Sequence, residues 1–380
     1  MDVTHVIALE ERPGHAPFAG AENHLFTLME GQARAGLSVE FAPLVVNQGP
    51  VFLARFADLE SKGIRVTTLP VGGPFTWKRN LGLILSLRPF FAARRGRVIH
   101  THLDGADYIA RTSAWSAGCR SLVSSNHNNE PFYAKTYWKL KLRLLDRLNG
   151  HYIAISDLIR DYLIGTVGLP AAKITTIRYG VNVPTAPGDR RTLRDSLGLP
   201  QDAFVVGFVG RLEPQKNIPL LLEAARAVPG LRVVIVGGGS LDASLRDLAK
   251  ANPPGQVSFT GYRPDGAALM PAFDLFCLPS KWEGLGLVLL EAMVNGVPIA
   301  GSRAGAIPEI LSQGRYGWLF DPGDAKGLAA ILSRAQSDPD ALHTLAEDAS
   351  AHVRREFTVE TMVTRTSEIY ERVSRPDGGR

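Results

Sequence analysis

Two glutamates, Glu283 and Glu291, stand in the stretch "WEGLGLVLLEAM" with almost nothing polar between them. A carboxylate accepts hydrogen bonds in fixed geometry, which suits the hydroxyls of a sugar or a ribose. Between the two acids, Gly284, Leu285, Gly286 and Leu287 cover the start of a helix, where uncapped backbone N–H groups make an anion site. Earlier, "GRLEPQKN" places Arg211 and Lys216 in a loop ahead of another helix. An arginine that forks onto two oxygens and a lysine that acts as a point charge form a seat for a diphosphate, with the helix dipole adding to both. Taken alone, each feature has a plainer reading: two surface charges on a solvated loop, and an acid paired with an arginine on a buried helix. The "GGGS" at 237–240 lets backbone approach a ligand through Gly238, and equally fits a tight turn with Ser240 as N-cap.

These loops need elements to hold them. Short runs rich in Val and Ile alternate with segments of helical period, the pattern of parallel sheets with crossover helices. Strands are expected at 4–9, 38–46, 97–101, 121–125 and 151–155, then at 204–209, 232–236, 257–260, 274–278 and 297–300. Helices are expected at 21–36, 51–63, 130–149, 156–167, 217–227, 240–251, 285–295, 324–336 and 339–354, with helical spacing resuming over 357–373. The linker-like "YGVNVPTAPGDRR" at 179–191 separates two halves. The expected architecture is α/β: two doubly wound, Rossmann-like domains facing across a cleft, spanning 1–184 and 185–356, with 357–380 returning toward the first. Ligands of such sheets bind beyond the carboxyl ends of the strands.

At 380 residues, 45% hydrophobic and 21% charged, the chain has the composition of a two-domain globular protein. Cys119 and Cys277 have no ligand or redox spacing around them and read as buried free thiols. The opening "MDVTHVIALEE" matches neither a secretory signal nor a transit peptide, so a cytoplasmic protein is expected. Positive charge gathers in the first half: residues 1–185 hold 21 Lys and Arg against 14 Asp and Glu, residues 186–380 hold 21 against 23.

In the second half, "VGFVGRLEPQKN", "VVIVGGGS", "VSFTGYRPD", "FCLPSKWEGLGLVLLEAMVNGVPIAGSRAGAIPEI" and "GWLFDPGD" follow one another. In this order the sequence resembles the retaining GT-B-fold glycosyltransferases of glycosyltransferase family 4, including their pair of glutamates with seven residues between them. The resemblance implies that Glu283 contacts the donor sugar, Glu291 the ribose hydroxyls, and Arg211 and Lys216 the diphosphate of a UDP- or GDP-linked sugar. Amides around Gly284, Leu285, Gly286 and Leu287 complete that seat, with Gly238, Arg263 and Glu309 as further donor-side positions. In the first half, "FAGAENHLFTLMEGQARAG" is similar to the family's glycine-containing loop and first helix, with Gly20 alone where two glycines are usual. His102 of "HTH" matches a histidine near the reacting sugar, His127 is the acceptor-side candidate, and Asn182 stands where the family often carries Asp.

Fixed cations and helix-end amides can stabilise a leaving diphosphate without a divalent ion, and no Asp-x-Asp or other metal-ligand spacing is present, so no metal or cofactor is expected. The resemblance implies retention at the anomeric carbon and an acceptor such as a lipid-linked saccharide or growing polysaccharide. Basic stretches with aromatics at 77–97 and 132–148 suit an anionic membrane surface, and equally the solvated faces of ordinary helices. Nucleic-acid binding would leave the two glutamates unexplained. A nucleotide-sugar epimerase on the same two-sheet plan and a non-catalytic nucleotide-sugar binder are the rival readings.

Overall fold

The computed structural model describes every residue except 11–17, 19, 48, 72–76, 128–135, 185–187 and 376–380; the side chains at 77–79, 104–105 and 136–138 are also not described. The chain forms two units, each with its own sheet. Where the sequence expects a division after 184 and a return at 357, the chain divides after Gly180 and returns at Val359.

In the first unit the strands are β1 (Asp2–Leu9), β2 (Ser38–Phe41), β3 (Leu44–Val45), β4 (Arg65–Val66), β5 (Leu69–Pro70), β6 (Val98–His102), β7 (Leu122–Asn126), β8 (His151–Ala154) and β9 (Ile174–Thr176). The sheet runs β4-β2-β1-β6-β7-β8-β9, with β3 beside β1 and β5. Neighbours are parallel throughout and the central strands are buried along almost their whole length, so polar side chains of β1, β6 and β7, among them His5, His100, His102 and Ser125, are enclosed together with the apolar ones. The single strand expected at 38–46 is divided, because Pro43 has no N–H to give to a ladder. A helix absent from the expectation, Asp104–Ser116, packs on this sheet through Ala106, Ile109, Ala110 and Ala114. The helix expected over 130–149 is described over Thr136–Asp146, and the one at 156–167 runs from Asp157 to Asp161 and continues as a π-helical turn to Val167.

The last helix, Val359–Ser374, belongs to this first unit and buries Met362, Val363, Ile369 and Tyr370. It lies so close to the first helix, Gly20–Arg34, that a Cβ on Gly31 would meet Val359 Cγ1 at 2.6 Å and Val363 Cγ2 at 2.8 Å. Glycine at 31 is therefore a condition of this packing.

Six further strands, β10 (Phe204–Val209), β11 (Leu231–Val236), β12 (Val257–Gly261), β13 (Leu275–Leu278), β14 (Ile299–Ser302) and β15 (Trp318–Phe320), build the second sheet in the order β12-β11-β10-β13-β14-β15. From β10 the chain winds first to one side and later to the other. The switch point thus lies between β10 and β13, and in sheets of this kind ligands bind beyond the carboxyl ends of such strands. The loops leaving these two strands are the ones that carry Arg211, Lys216 and Glu283.

Candidate functional site

At the switch point of the second unit, the loop after β10 is fastened to the loop after β13 by backbone. Lys281 N–H donates to the Gln215 carbonyl at 2.8 Å, and the Gln215 side-chain amide donates to the Trp282 carbonyl at 2.8 Å. This staple brings the Lys216 ammonium to 2.5 Å from Glu283 Oε1, and the same oxygen accepts from Ser280 Oγ at 2.6 Å. Glu283 Oε2 takes no hydrogen bond from any described residue. The Lys216 ammonium has three donors, so the pairing leaves capacity on both partners. Arg211 is exposed and its guanidinium is unpaired among the described residues.

Glu283 is fixed from its other side as well. Its carbonyl accepts from Ala306 N–H at 3.0 Å, and Gly305, at φ +56°, approaches so closely that a Cβ would lie 2.4 Å from Glu283 N. The turn that makes this approach leads into the short helix Ile307–Ile310, which carries the half-buried Glu309. Gly286 sits at φ +88° as the N-cap of the helix Leu287–Val294, with no side chain capping the first N–H groups. Leu285 is buried beneath it and Leu287 is half-buried. One and a half turns along, Glu291 is partly buried with no counter-charge on its carboxyl among the described residues, and burial pushes its pKa up to about 7.

Other expected donor-side residues are placed differently. Arg263 grips Asp265 with two hydrogen bonds, at 2.8 and 2.6 Å. The "GGG" run serves the packing of loop on loop: Leu212 N–H donates to the Gly238 carbonyl at 2.9 Å, and a Cβ on Gly237 would collide with the Gly210 carbonyl. Ser240 is not an N-cap; its N–H and Oγ both donate to the Glu213 carboxylate, and the helix begins at Asp242.

Gly20 opens the first helix with nothing near its Cβ position, and the first unit resumes at the residue after it. His102 closes β6, where it joins a chain of buried polar side chains that the sequence reading did not find. His127 Nδ1 lies 2.7 Å from Tyr179 Oη, and its Nε2 lies 3.2 Å from His102 Nδ1. His102 Nε2 is 3.0 Å from His5 Nδ1, and His5 Nε2 is 2.7 Å from Gln32 Oε1. Gln32 Nε2 then donates to Tyr370 Oη at 3.2 Å, which sits 2.6 Å from His100 Nδ1, while His100 Nε2 is 2.8 Å from Ser125 Oγ. His24 stacks on the Tyr179 ring at 3.8 Å. Burial holds all five histidines in the neutral form, with His5 lowered to about 4 and His127 to about 3. His5, His100 and His102 are near enough to share a metal ion, yet every one of their ring nitrogens already has a hydrogen-bond partner. Among the described residues no other cluster of this kind occurs.

Residues 18–184 match the family described as Glycosyltransferase Family 4, and residues 189–352 match Glycosyl transferases group 1. The chain belongs to the GT-B glycosyltransferases of the family 4 type. A D-inositol 3-phosphate glycosyltransferase of Actinosynnema mirum is 29% identical over 381 residues, covering 90% of each chain. A second protein of that name, from Mycolicibacterium paratuberculosis, is 35% identical over 191 residues, which is 48% of this chain and 43% of the relative, less than half its length. The crystal structure of Anabaena HepE in complex with UDP and glucose superposes with a TM-score of 0.80 at 25% identity, covering 97% of this chain and 99% of that one. This glycosyltransferase therefore carries its Lys216–Glu283 pair at the switch point of a GT-B second domain.

The basic stretches of the first unit are in large part structural. Arg94 forms a two-pronged ion pair with Glu40, Arg95 donates to the Ala117 carbonyl, and Arg97 binds the Val3 and Ser38 carbonyls at the start of β1 and β2. Lys141 lies over the Tyr108 ring and Arg143 donates to the Val167 carbonyl. Lys135 and the side chains of Lys78 and Arg79 lie outside the described residues. Two leucine pairs at helical spacing are exposed instead: Leu81 and Leu85, at 59% and 56%, and Leu140 and Leu144, at 57% and 58%. Among the described residues, no helix is long and apolar enough to cross a membrane.

Proposed function

We propose that this glycosyltransferase moves a hexose from a UDP-linked donor to an acceptor hydroxyl, with retention at the anomeric carbon and without a divalent metal. The observation that carries the reading is the Lys216–Glu283–Ser280 constellation at the switch point, with the uncompensated Glu291 on the adjoining helix. Cleaving a sugar–diphosphate bond builds negative charge on the leaving oxygens. Arg211, Lys216 and the uncapped amides at Gly286 and Leu287 are preorganised for that charge, so the leaving group is stabilised by protein alone. Glu283, with Oε2 open, accepts a hydroxyl of the sugar, and Glu291 accepts the two ribose hydroxyls. No side chain is placed as a nucleophile in this reading; attack comes from the face the diphosphate leaves, and the departing phosphate takes the acceptor's proton. The relative solved with UDP and glucose supports the choice of nucleotide.

The acceptor we propose is a saccharide on a lipid at the membrane surface, supported by the four exposed leucines. Each leucine fully buried contributes about 1.5–3 kcal/mol, against about 1 kcal/mol per surface cation, so apolar insertion outweighs charge in holding the protein there. The names of the relatives favour a second reading, a small phosphorylated polyol as acceptor. Incubation with UDP-glucose, EDTA and either lipid-linked saccharide or inositol phosphate, with the products weighed by mass spectrometry, separates the two. Dependence of turnover on added Mg²⁺, or conversion of the donor to an isomeric nucleotide sugar with no acceptor present, would sink the proposal.

A further inference from the structure

Four residues other than glycine have a positive φ among the described residues: Leu103, Asn217, Ser312 and Gln313. Of these, Asn217 alone adjoins a side chain of the switch-point site, because it follows Lys216 directly. At φ +50° and ψ +39° it is left-handed, and it is the single residue between the 3₁₀ turn Pro214–Lys216 and the helix Ile218–Arg226. Left-handed backbone crowds the Cβ of most residues; glycine adopts it freely, and asparagine more readily than most others that carry a Cβ. The Asn217 side chain caps none of the first N–H groups of the helix, so what this residue type supplies at the joint is the backbone turn.

Both sides of the joint are held. On the near side, Pro214 fixes its own φ at the start of the turn, and Gln215 is tied to the loop after β13 through the Lys281 N–H and the Trp282 carbonyl. On the far side, Ile218, Leu221 and Leu222 are fully buried, and Pro219 stiffens the first turn of the helix. With staple and helix both fixed, the path of the backbone at residue 217 decides where the Lys216 side chain leaves the chain. A right-handed residue there would swing either Lys216 or the whole helix.

We propose that Asn217 is a positioning residue whose left-handed backbone aims the Lys216 ammonium at Glu283 and so at the leaving diphosphate. The link to turnover rests on the glycosyl-transfer reading, whereas the aim itself rests on this turn and on the 2.5 Å contact between Lys216 and Glu283.

The test compares Asn217→Gly, which keeps the left-handed turn and loses the amide, with Asn217→Ala, which penalises the turn. Two readouts are taken on the full chain. The first is turnover of UDP-glucose, with water as acceptor. Asn217→Ala should lower kcat about tenfold with KM changed far less, which is about 1.4 kcal/mol, the size of the cost of left-handed backbone in a residue with a Cβ. Asn217→Gly should stay within about twofold of the unmodified protein, since glycine takes this conformation without penalty. In a Lys216→Ala background, Asn217→Ala should cost nothing further. The second readout needs no substrate: the rate at which acetic anhydride labels Lys216, read by peptide mass spectrometry. With 13% of its side chain exposed and its ammonium paired, Lys216 should label slowly beside the exposed Lys326, severalfold faster in Asn217→Ala, and at the unmodified rate in Asn217→Gly. Should Asn217→Ala fail to melt cooperatively, Asn217→Ser takes its place in both readouts. A loss of turnover in Asn217→Gly equal to that in Asn217→Ala would assign the role to the side-chain amide and overturn the proposal. Full turnover and slow labelling in Asn217→Ala, with only a lowered Tm, would make the turn structural and nothing more; a loss that multiplies with that of Lys216→Ala would overturn the proposal as well. An unmodified chain that never turns over UDP-glucose counts against the donor reading and leaves the labelling rates to decide the proposal.

Discussion

Lowering the pH from 7.5 to 5.5 should strip most of the stability from the first unit, while the second loses none to its histidines and gains about 2 kcal/mol as Glu291 takes up a proton in the folded state. Six histidines of the first unit, His5, His24, His100, His102, His127 and His151, are buried, and burial lowers the pKa of each; His5 and His151 fall to about 4 and His127 to about 3. Since the folded values lie below the unfolded value of 6.5, stability is intact above that pH. It is lost as the pH falls toward 4, because the unfolded chain binds protons that the folded chain refuses. Each group loses about 1.4 kcal/mol over the two pH units, because only the lower one lies in the window, so six lose about 8 kcal/mol. That is the size of a whole domain's stability. His343 and His352 of the second unit are not buried. Amide exchange read by mass spectrometry against urea, strand by strand, separates the two responses: protection of Val98–His102 should collapse at pH 5.5 while Leu275–Leu278 keeps its own. A loss below about 2 kcal/mol in the first unit would mean that the imidazoles are already charged or already wet.

Lys216→Ala and Arg211→Ala should each lower turnover of UDP-glucose about 10²–10³-fold in steady-state assays with KM changed far less, as expected for donors aimed at charge that develops only in the transition state. Because Glu291 titrates near 7 and is needed as a carboxylate to hold two hydroxyls, binding UDP-glucose at pH 6 should release about 0.9 proton. Calorimetry in buffers of different ionisation heat reads this, and Glu291→Gln should abolish it. Gly305→Ala forces a Cβ against the backbone of Glu283 at a positive φ, so it should destabilise the second unit by at least about 1–3 kcal/mol and lower turnover as well; thermal melting and the same assay report both. Replacing Leu81, Leu85, Leu140 and Leu144 with Gln should abolish co-sedimentation with anionic vesicles, even at high salt, without changing hydrolysis of UDP-glucose in solution.

The parts of the fold that were legible in the sequence are those whose signal is local. Buried parallel strands such as "FVVGFV" and "RVVIV" show as apolar runs, and the residues following them mark the loops where Arg211, Lys216 and Glu283 stand. The helix Asp104–Ser116 was missed because its buried face is built largely from Ala106, Ala110 and Ala114, which give little contrast with the polar side. Strands Arg65–Val66 and Leu69–Pro70 are too short for any period to register. Ion pairs were invisible for another reason: Arg94 and Glu40 lie in different elements, so a cation counted toward a surface patch is in fact clamped beside the sheet. The histidine chain shows the limit most sharply. In sequence, His102 is a polar residue at a strand end with one nitrogen to offer; in the fold both nitrogens are taken by residues 25 and 97 positions away.

The helix Val359–Ser374 comes after all of the second unit in the chain, yet supplies Tyr370 and a buried apolar face to the first. During synthesis on the ribosome, the segment up to Gly180 emerges with its sheet but with Gly31 facing no partner and the imidazole row unclosed. The first unit is thus completed only after the second has been made, and a nascent chain must keep that gap from aggregating until Val359–Ser374 arrives. A stop codon placed just after Glu356 would spare the whole second sheet and still yield a protein whose first unit never completes its core.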